Sequence, residues 1–120
     1  MRDDGRPLFA QIAEQIESAI VDGTLAEEAQ APSTNELAAF HRINPATAAK
    51  GISQLVTDGV LYKRRGIGMF VAAGARAQLL ERRREEFARQ FLAPLMAEAG
   101  KLGMDAEQLK KMIDTWGEGT

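Results

Sequence analysis

Two helix starts lie close together in this chain, at Ser33 and Asn44, and their spacing constrains the fold more than any other feature. Ser33 and Glu36 have the pattern of a capping box, in which the serine hydroxyl accepts from the third backbone N–H and the glutamate reaches back. Asn44 is a good N-cap, and Pro45 loses no bonded donor at the first helical position. The helix that begins at Ser33 is therefore short, and a tight turn near Arg42 separates it from the next.

A longer amphipathic helix is predicted before this pair. Its apolar residues recur every four positions, as one buried helical stripe requires, and Gly23 is placed to end it. The stripe consists of Leu8, Ile12, Ile16 and Ile20. In the two later helices, the side chains expected to be buried are Leu37, Ala38, Phe40, Ala48, Ile52, Leu55 and Val56.

Two short extended segments follow the third helix, over residues 60–64 and 69–71. Between them, Gly66 and Gly68 permit a tight turn and predict a β-hairpin. Three helices and a two-stranded wing, with a short turn between the second and third helices, form a winged helix-turn-helix. The predicted fold class is therefore mainly α with a small β-hairpin.

The pattern changes after residue 74. Residues 75–96 have the periodicity of a long helix, in which Pro94 is expected to cause a kink or an end because it removes a backbone donor. Asp105, with Gln108 three residues later, is expected to cap a last helix. These helices carry more apolar surface than they can bury against each other, so they need a partner surface. A second subunit or the first domain of the same chain would supply it.

Charge is distributed unevenly along the chain. The net charge is −2, but residues 41–76 carry six basic side chains and a single acidic one, whereas residues 1–40 are strongly acidic. A local basic stretch of this kind is expected of a surface that binds phosphates. Charge alone would equally fit an ordinary solvated basic face.

Six short motifs follow one another along the first half of the chain. They are Pro7-Leu8-Phe9-Ala10-Gln11-Ile12, Pro32-Ser33, Glu36-Leu37-Ala38, Asn44-Pro45-Ala46-Thr47, Asp58-Gly59-Val60-Leu61 and Arg64-Arg65-Gly66-Ile67-Gly68-Met69-Phe70-Val71. These motifs resemble the DNA-binding domain of the GntR family of bacterial regulators, and they keep the family's order and spacing over about half of the chain. The opening of the third helix and the short tail resemble the YtrA subfamily, in which two C-terminal helices replace a large ligand domain.

The resemblance implies which side chains meet DNA. The third helix fits a major groove about 12 Å wide, the N-terminus of the second helix can bind a phosphate, and the wing approaches the minor groove. Asn35 stands where the family usually has arginine and Met69 where it usually has threonine, so the operator is expected to differ. The implied DNA-binding residues are Ser33, Asn35, Ala46, Thr47, Lys50, Arg64, Arg65, Gly66 and Gly68.

The resemblance also implies a dimeric repressor that binds an inverted-repeat operator near a transporter operon. We therefore predict a DNA-binding domain over residues 1–73 and a helical dimerisation tail over residues 74–120. An effector is expected, if at all, between the subunits; no cofactor or metal is expected. The absence of cysteine fits a cytoplasmic protein. The expected dimerisation residues are Phe87, Phe91, Leu95, Leu109, Met112, Ile113 and Trp116.

Two other classes of function share features with this sequence. An enzyme is disfavoured, because Gly66-Ile67-Gly68 is only a fragment of a dinucleotide-binding motif and His41, the single histidine, has no cysteine to pair with. A winged helix that docks proteins without binding specific DNA is the main alternative. The concentration of Thr47, Lys50 and the wing arginines argues for DNA. No membrane span is expected.

Overall fold

The computed structural model describes residues 5–119, which form six α-helices and a two-stranded antiparallel hairpin. This arrangement confirms the predicted fold class. By internal contacts the chain divides into two compact units, one ending at Leu80 and one beginning at Glu81. The elements are α1 (Leu8–Asp22), α2 (Thr34–His41), α3 (Pro45–Thr57), β1 (Leu61–Arg64), β2 (Gly68–Val71), α4 (Ala75–Phe87), a π-helical turn (Ala88–Leu92), α5 (Ala93–Lys101), α6 (Ala106–Trp116) and a 3₁₀ turn (Gly117–Gly119).

Both closely spaced helix starts are confirmed. The Ser33 hydroxyl accepts from the Glu36 N–H at 3.1 Å, and the Glu36 carboxylate accepts from the Ser33 N–H at 3.2 Å. The Asn44 side chain accepts from the Ala46 N–H at 2.8 Å. Between the two helices Arg42 adopts a left-handed conformation with φ 56°, which makes the turn tight.

The end of α1 is also as predicted. Gly23 takes a left-handed conformation with φ 87° and closes the helix, which suits a residue without a Cβ. Beyond it, hydrogen bonds from the side chain and then the backbone N–H of Thr24 lower the pKa of the exposed Asp22 carboxyl.

The core of the first unit lies where α1 and α2 pack against α3. Its fully buried large side chains are Ile12, Ile20, Leu55, Val60, Leu61, Val71 and Leu79. Leu79 and its neighbour Ala75 were not predicted; they join this core from the first turns of α4. The predicted boundary after residue 73 stays a prediction.

Three of the side chains predicted to be buried are exposed. Leu8 is 43% exposed because it begins α1, and Val56 is 36% exposed in the last turn of α3. Phe40 is 82% exposed. At about 100° per residue it lies almost opposite the buried Ala38, so one face of this short helix cannot bury both. The expectation for these three residues was therefore wrong.

The hairpin forms as predicted, with Leu61 opposite Val71 and Arg64 opposite Gly68. An unpredicted third segment runs along β2. Hydrogen bonds join the Glu28 N–H to the Val71 carbonyl at 2.8 Å, and the Ala31 N–H to the Met69 carbonyl at 2.8 Å. The chain leading into α2 is therefore held on the hairpin.

The second unit is a pair of helices whose first member continues through Pro94. The predicted irregularity is present as the π-helical turn, in which the Ala93 N–H bonds to the Ala88 carbonyl five residues earlier. This wider turn accommodates a proline, which has no N–H to donate. The helix ends at Lys101, five residues beyond the predicted stretch, and of the two expectations at Pro94, a kink or an end, the end was wrong.

The last helix begins as predicted. Asp105 accepts from the Gln108 N–H at 2.8 Å, and the Gln108 side chain accepts from the Asp105 N–H at 2.9 Å. Leu109 in this helix and Ala99 in α5 are the buried residues of the two elements. Among the described residues, no helix is long and apolar enough to cross a membrane.

Candidate nucleic-acid interface

The N-terminal half of α3 presents a polar edge to solvent. Ala46 and Lys50 are exposed and Thr47 is half-buried, whereas Ala48 and Ile52 face the core. Residues three and four apart share a helix face, so these three side chains form one continuous edge. The edge borders a shallow cleft that Leu8 and Phe9, from the first turn of α1, complete.

Lys50 is held in position by an aromatic ring. Its ammonium nitrogen lies 4.1 Å from the centroid of the Phe9 ring, the geometry of a cation–π contact. From the sequence, Phe9 is predicted as an apolar residue of the first helix and as part of a family motif, and not as a residue of the site. A partner 41 positions away has no local signal in the sequence.

The tilt of α3 depends on a close crossing with α1 at Gly51. A Cβ at this position would lie 2.8 Å from the Phe9 carbonyl oxygen and 3.2 Å from the Ile12 Cβ. Glycine therefore lets the two helices approach closely, and this approach places Phe9 beside Lys50.

The N-terminus of α2 carries Ser33 and Asn35, both exposed. Two donors at this end are already used, because Ser33 and Glu36 satisfy each other's backbone N–H groups. The Ser33 hydroxyl proton and the first-turn N–H groups of Thr34 and Asn35 remain as donors toward a phosphate. The Glu36 carboxylate lies at the same end and weakens its attraction for anions.

The hairpin and its loop, residues 61–71, form the wing, and its two arginines have different surroundings. The Arg64 guanidinium lies 4.3 Å from the Phe70 ring centroid and donates to the Tyr62 hydroxyl at 3.1 Å. That hydroxyl in turn donates to the Glu28 carboxylate at 2.6 Å, which is 3.8 Å from Arg64. Arg65 is exposed and makes no hydrogen bond or ion pair with residues 5–119.

The glycines of the wing adopt backbone conformations that other residues rarely take. Gly66, at the tip, has φ 78°, and Gly68 has φ 144°. Nothing lies within 4 Å of the position that a Cβ on Gly66 would occupy, so the tip is open. An open tip without side-chain bulk permits close approach to another surface.

The single histidine of the chain, His41, packs against a neighbouring aromatic ring. The His41 ring packs edge-on against Phe40, with ring centroids 4.8 Å apart. Over the described part of the chain, no group of three or more histidine, aspartate or glutamate side chains could hold a metal ion.

Comparisons with known proteins show which family this chain resembles. Residues 8–71 match the family described as bacterial regulatory proteins, gntR family. The HTH-type transcriptional regulator YhcF of Bacillus subtilis is 29% identical over 95% of this chain and 93% of its own length. The HTH-type transcriptional repressor YtrA of the same organism is 28% identical over 89% of this chain and 82% of its own.

Solved structures extend the similarity to three dimensions. The crystal structure of a GntR-family transcriptional regulator from Bacteroides thetaiotaomicron has a TM-score of 0.76 at 30% identity, and covers 92% of this chain and 96% of that one. The DNA-binding domain of AraR, crystallised with its operator ORX1, has a TM-score of 0.55 at 35% identity over 60% of this chain and 87% of that one. The part of AraR that this chain resembles is thus a domain whose structure was determined in complex with DNA.

Proposed function

The chain belongs to the gntR family of bacterial regulatory proteins, which are DNA-binding transcription regulators and not enzymes, and from this premise we propose that it is a dimeric repressor that binds an inverted-repeat operator. The observation that carries the proposal is the exposed edge of α3, where Lys50 stands over Phe9 beside Ala46 and Thr47. A helix edge with these polar groups suits the major groove.

Each part of the interface has a distinct role in this proposal. Thr47 and Lys50 contact base edges, and the Ala46 methyl group contacts an apolar base atom such as a thymine methyl. Ser33 donates to a phosphate, and Asn35 is suited to adenine. Arg65 enters or borders the minor groove beside the open glycine tip of the wing.

The second unit is proposed to hold two copies together. Six of the seven predicted dimerisation residues are between 42% and 71% exposed in the single chain, a surface that a partner would cover. Twofold closure would place two α3 helices about 34 Å apart, on successive major grooves. Leu109, the seventh predicted dimerisation residue, is only 6% exposed and is therefore already buried in the single chain. The six are Phe87, Phe91, Leu95, Met112, Ile113 and Trp116.

The family resemblance supports one finer proposal, that the regulated operon lies nearby and encodes a transporter. A small-molecule effector, if the protein has one, would bind in a cavity between the two subunits, lined by Met96, Met104, Met112 or Trp116.

Lys50→Ala should weaken binding to the preferred operator about tenfold or more, because one good base contact contributes about 1–3 kcal/mol of discrimination.

Arg65→Ala should weaken binding to all duplexes and reduce the slope of log affinity against log salt by about one. Fluorescence anisotropy measures both, on a duplex selected by the wild-type protein from a random-sequence pool.

Lys101→Ala, in the second unit, is the matched control for removal of one exposed lysine. It should leave both the operator affinity and the salt slope unchanged. If the wild-type protein selects no sequence and its DNA binding lacks salt dependence, the chain is a protein-docking winged helix and the proposal is wrong.

A further inference from the structure

The residues just before α2 are fixed to the wing by a side chain as well as by the backbone. Gln30 pairs with Phe70 across the edge of the hairpin, and its side-chain amide donates to the Ile67 carbonyl at 3.0 Å. Gln30 and Ile67 are separated by 36 other residues along the chain. The bond ends in the loop at the wing tip, whose own turn is closed by the Ile67 N–H and the Arg64 carbonyl at 3.0 Å.

We propose that Gln30 is a positioning residue for DNA binding: its amide fixes the wing tip, and with it Arg65, relative to the N-terminus of α2. The proposal rests on the proposed function, since it concerns the same DNA-binding surface.

The surroundings of Gly68 fit this role. A Cβ on Gly68 would lie 2.6 Å from the Gln30 amide nitrogen, so glycine at this position leaves the room that the amide occupies. We call the hydrogen bond from the Gln30 amide to the Ile67 carbonyl the clamp. It depends on Gln30, before α2, and on the space that Gly68 leaves in the wing.

The distribution of contacts among the wing arginines explains why the tip needs such a clamp. Arg64 is braced by Phe70, Tyr62 and Glu28, whereas the described structure gives Arg65 no polar partner. The direction of Arg65 therefore depends on the backbone of the loop that carries it. Ile67 in that loop is 62% exposed, so apolar packing holds the loop only weakly.

The physical gain is a smaller loss of conformational freedom on binding. A loop that is ordered before it meets DNA loses less entropy in the complex than a mobile one, and the difference appears as affinity. The clamp also connects the tip to Ser33, only three residues beyond Gln30, so the proposed DNA contacts of Ser33 and Arg65 keep a fixed separation.

The test compares Gln30→Met with the wild type in the full chain, alone and combined with Arg65→Ala. Methionine keeps the length of the side chain and removes the donor. Gln30→Met should lower affinity for the selected operator roughly threefold to tenfold, the range expected for one lost hydrogen bond. Its salt slope should fall toward that of Arg65→Ala, although no charge has been removed.

A double-mutant cycle makes the outcome decisive. In the Arg65→Ala background, Gln30→Met should cost little further affinity, because the residue that it positions is gone. Full additivity, or an unchanged salt slope, would show that Gln30 acts on its own and would overturn the proposal. So would a fall in melting temperature large enough to account for the weaker binding.

Gln15→Met is the matched control, since Gln15 is an exposed glutamine on α1. It should change neither affinity nor slope. Failure of the proposed function would give a different result, because Arg65→Ala would then leave DNA binding unchanged. If Arg65→Ala weakens DNA binding and Gln30→Met does not, only the clamp is rejected.

Discussion

Phe91→Glu should convert the proposed dimer to monomers and reduce operator affinity at least about a hundredfold. Phe91 is 55% exposed in the single chain. The centroids of the Phe91 and Phe87 rings lie 5.4 Å apart, so the two rings form one apolar patch. A buried aromatic residue at the centre of an interface contributes about 2 kcal/mol or more. Two copies per dimer therefore predict a loss of about a thousandfold in dimer affinity.

The substitution should not unfold the subunit, because more than half of the Phe91 side chain already contacts solvent. A new carboxylate would, however, be desolvated in the dimer, which is costly without a partner. Sedimentation equilibrium measures the association, and anisotropy measures operator binding by the same samples. The monomer should still show weak, salt-dependent binding to any duplex.

Gln90→Glu supplies the control, since it adds the same charge at the preceding exposed position. It should leave the dimer intact. A wild-type protein that sediments as a monomer at micromolar concentration, or a Phe91→Glu variant that stays dimeric, contradicts the dimerisation surface proposed for the second unit.

Gly51→Ala should destabilise the first unit by about 1–3 kcal/mol, the usual cost of overpacking. Helix propensity alone predicts the opposite, since alanine is favoured over glycine by about 1 kcal/mol in a helix interior. The close contact decides the sign. The added Cβ meets a backbone carbonyl, that of Phe9, which can move only if α1 moves with it.

Gly100→Ala in α5 is the matched control, because nothing lies within 4 Å of a Cβ there. It should be neutral or stabilising by up to about 1 kcal/mol. Urea unfolding followed by circular dichroism measures both variants. Equal or greater stability of Gly51→Ala would mean that the crossing of α1 and α3 is looser than the distances indicate. The same variant should also weaken operator binding, because Phe9 would shift from beneath Lys50.

The parts of the fold that were predictable have their determinants close together in the sequence. The Ser33–Glu36 and Asp105–Gln108 caps, the Asn44-Pro45 start and the glycine turn of the wing each involve residues within about four positions of one another. Such groups satisfy local backbone donors whatever surrounds them. The family motifs then identified the DNA-binding half of the chain.

The errors came from residues whose burial depends on neighbours elsewhere in the chain. Phe40 is apolar and suitably spaced, yet it is exposed because α2 is only eight residues long and Leu37 and Ala38 already occupy its buried face. Leu79 was missed because its neighbours belong to the first unit. At Pro94 a kink or an end of the helix was expected, and the structure has a π-helical turn instead, which has no signature in apolar periodicity.

Sequence by itself determined where helices begin, where the chain turns, and which stretch of the chain is basic. Each of these depends on local hydrogen bonding or on composition. Only the tertiary structure decided that Phe9 supports Lys50, that Gln30 reaches Ile67, and that Arg64 is braced. The last contact also involves Glu28, far from the hairpin in sequence. The Phe9–Lys50, Gln30–Ile67 and Glu28–Arg64 contacts join residues more than thirty positions apart, and their geometry exists only after the helices and the wing have packed.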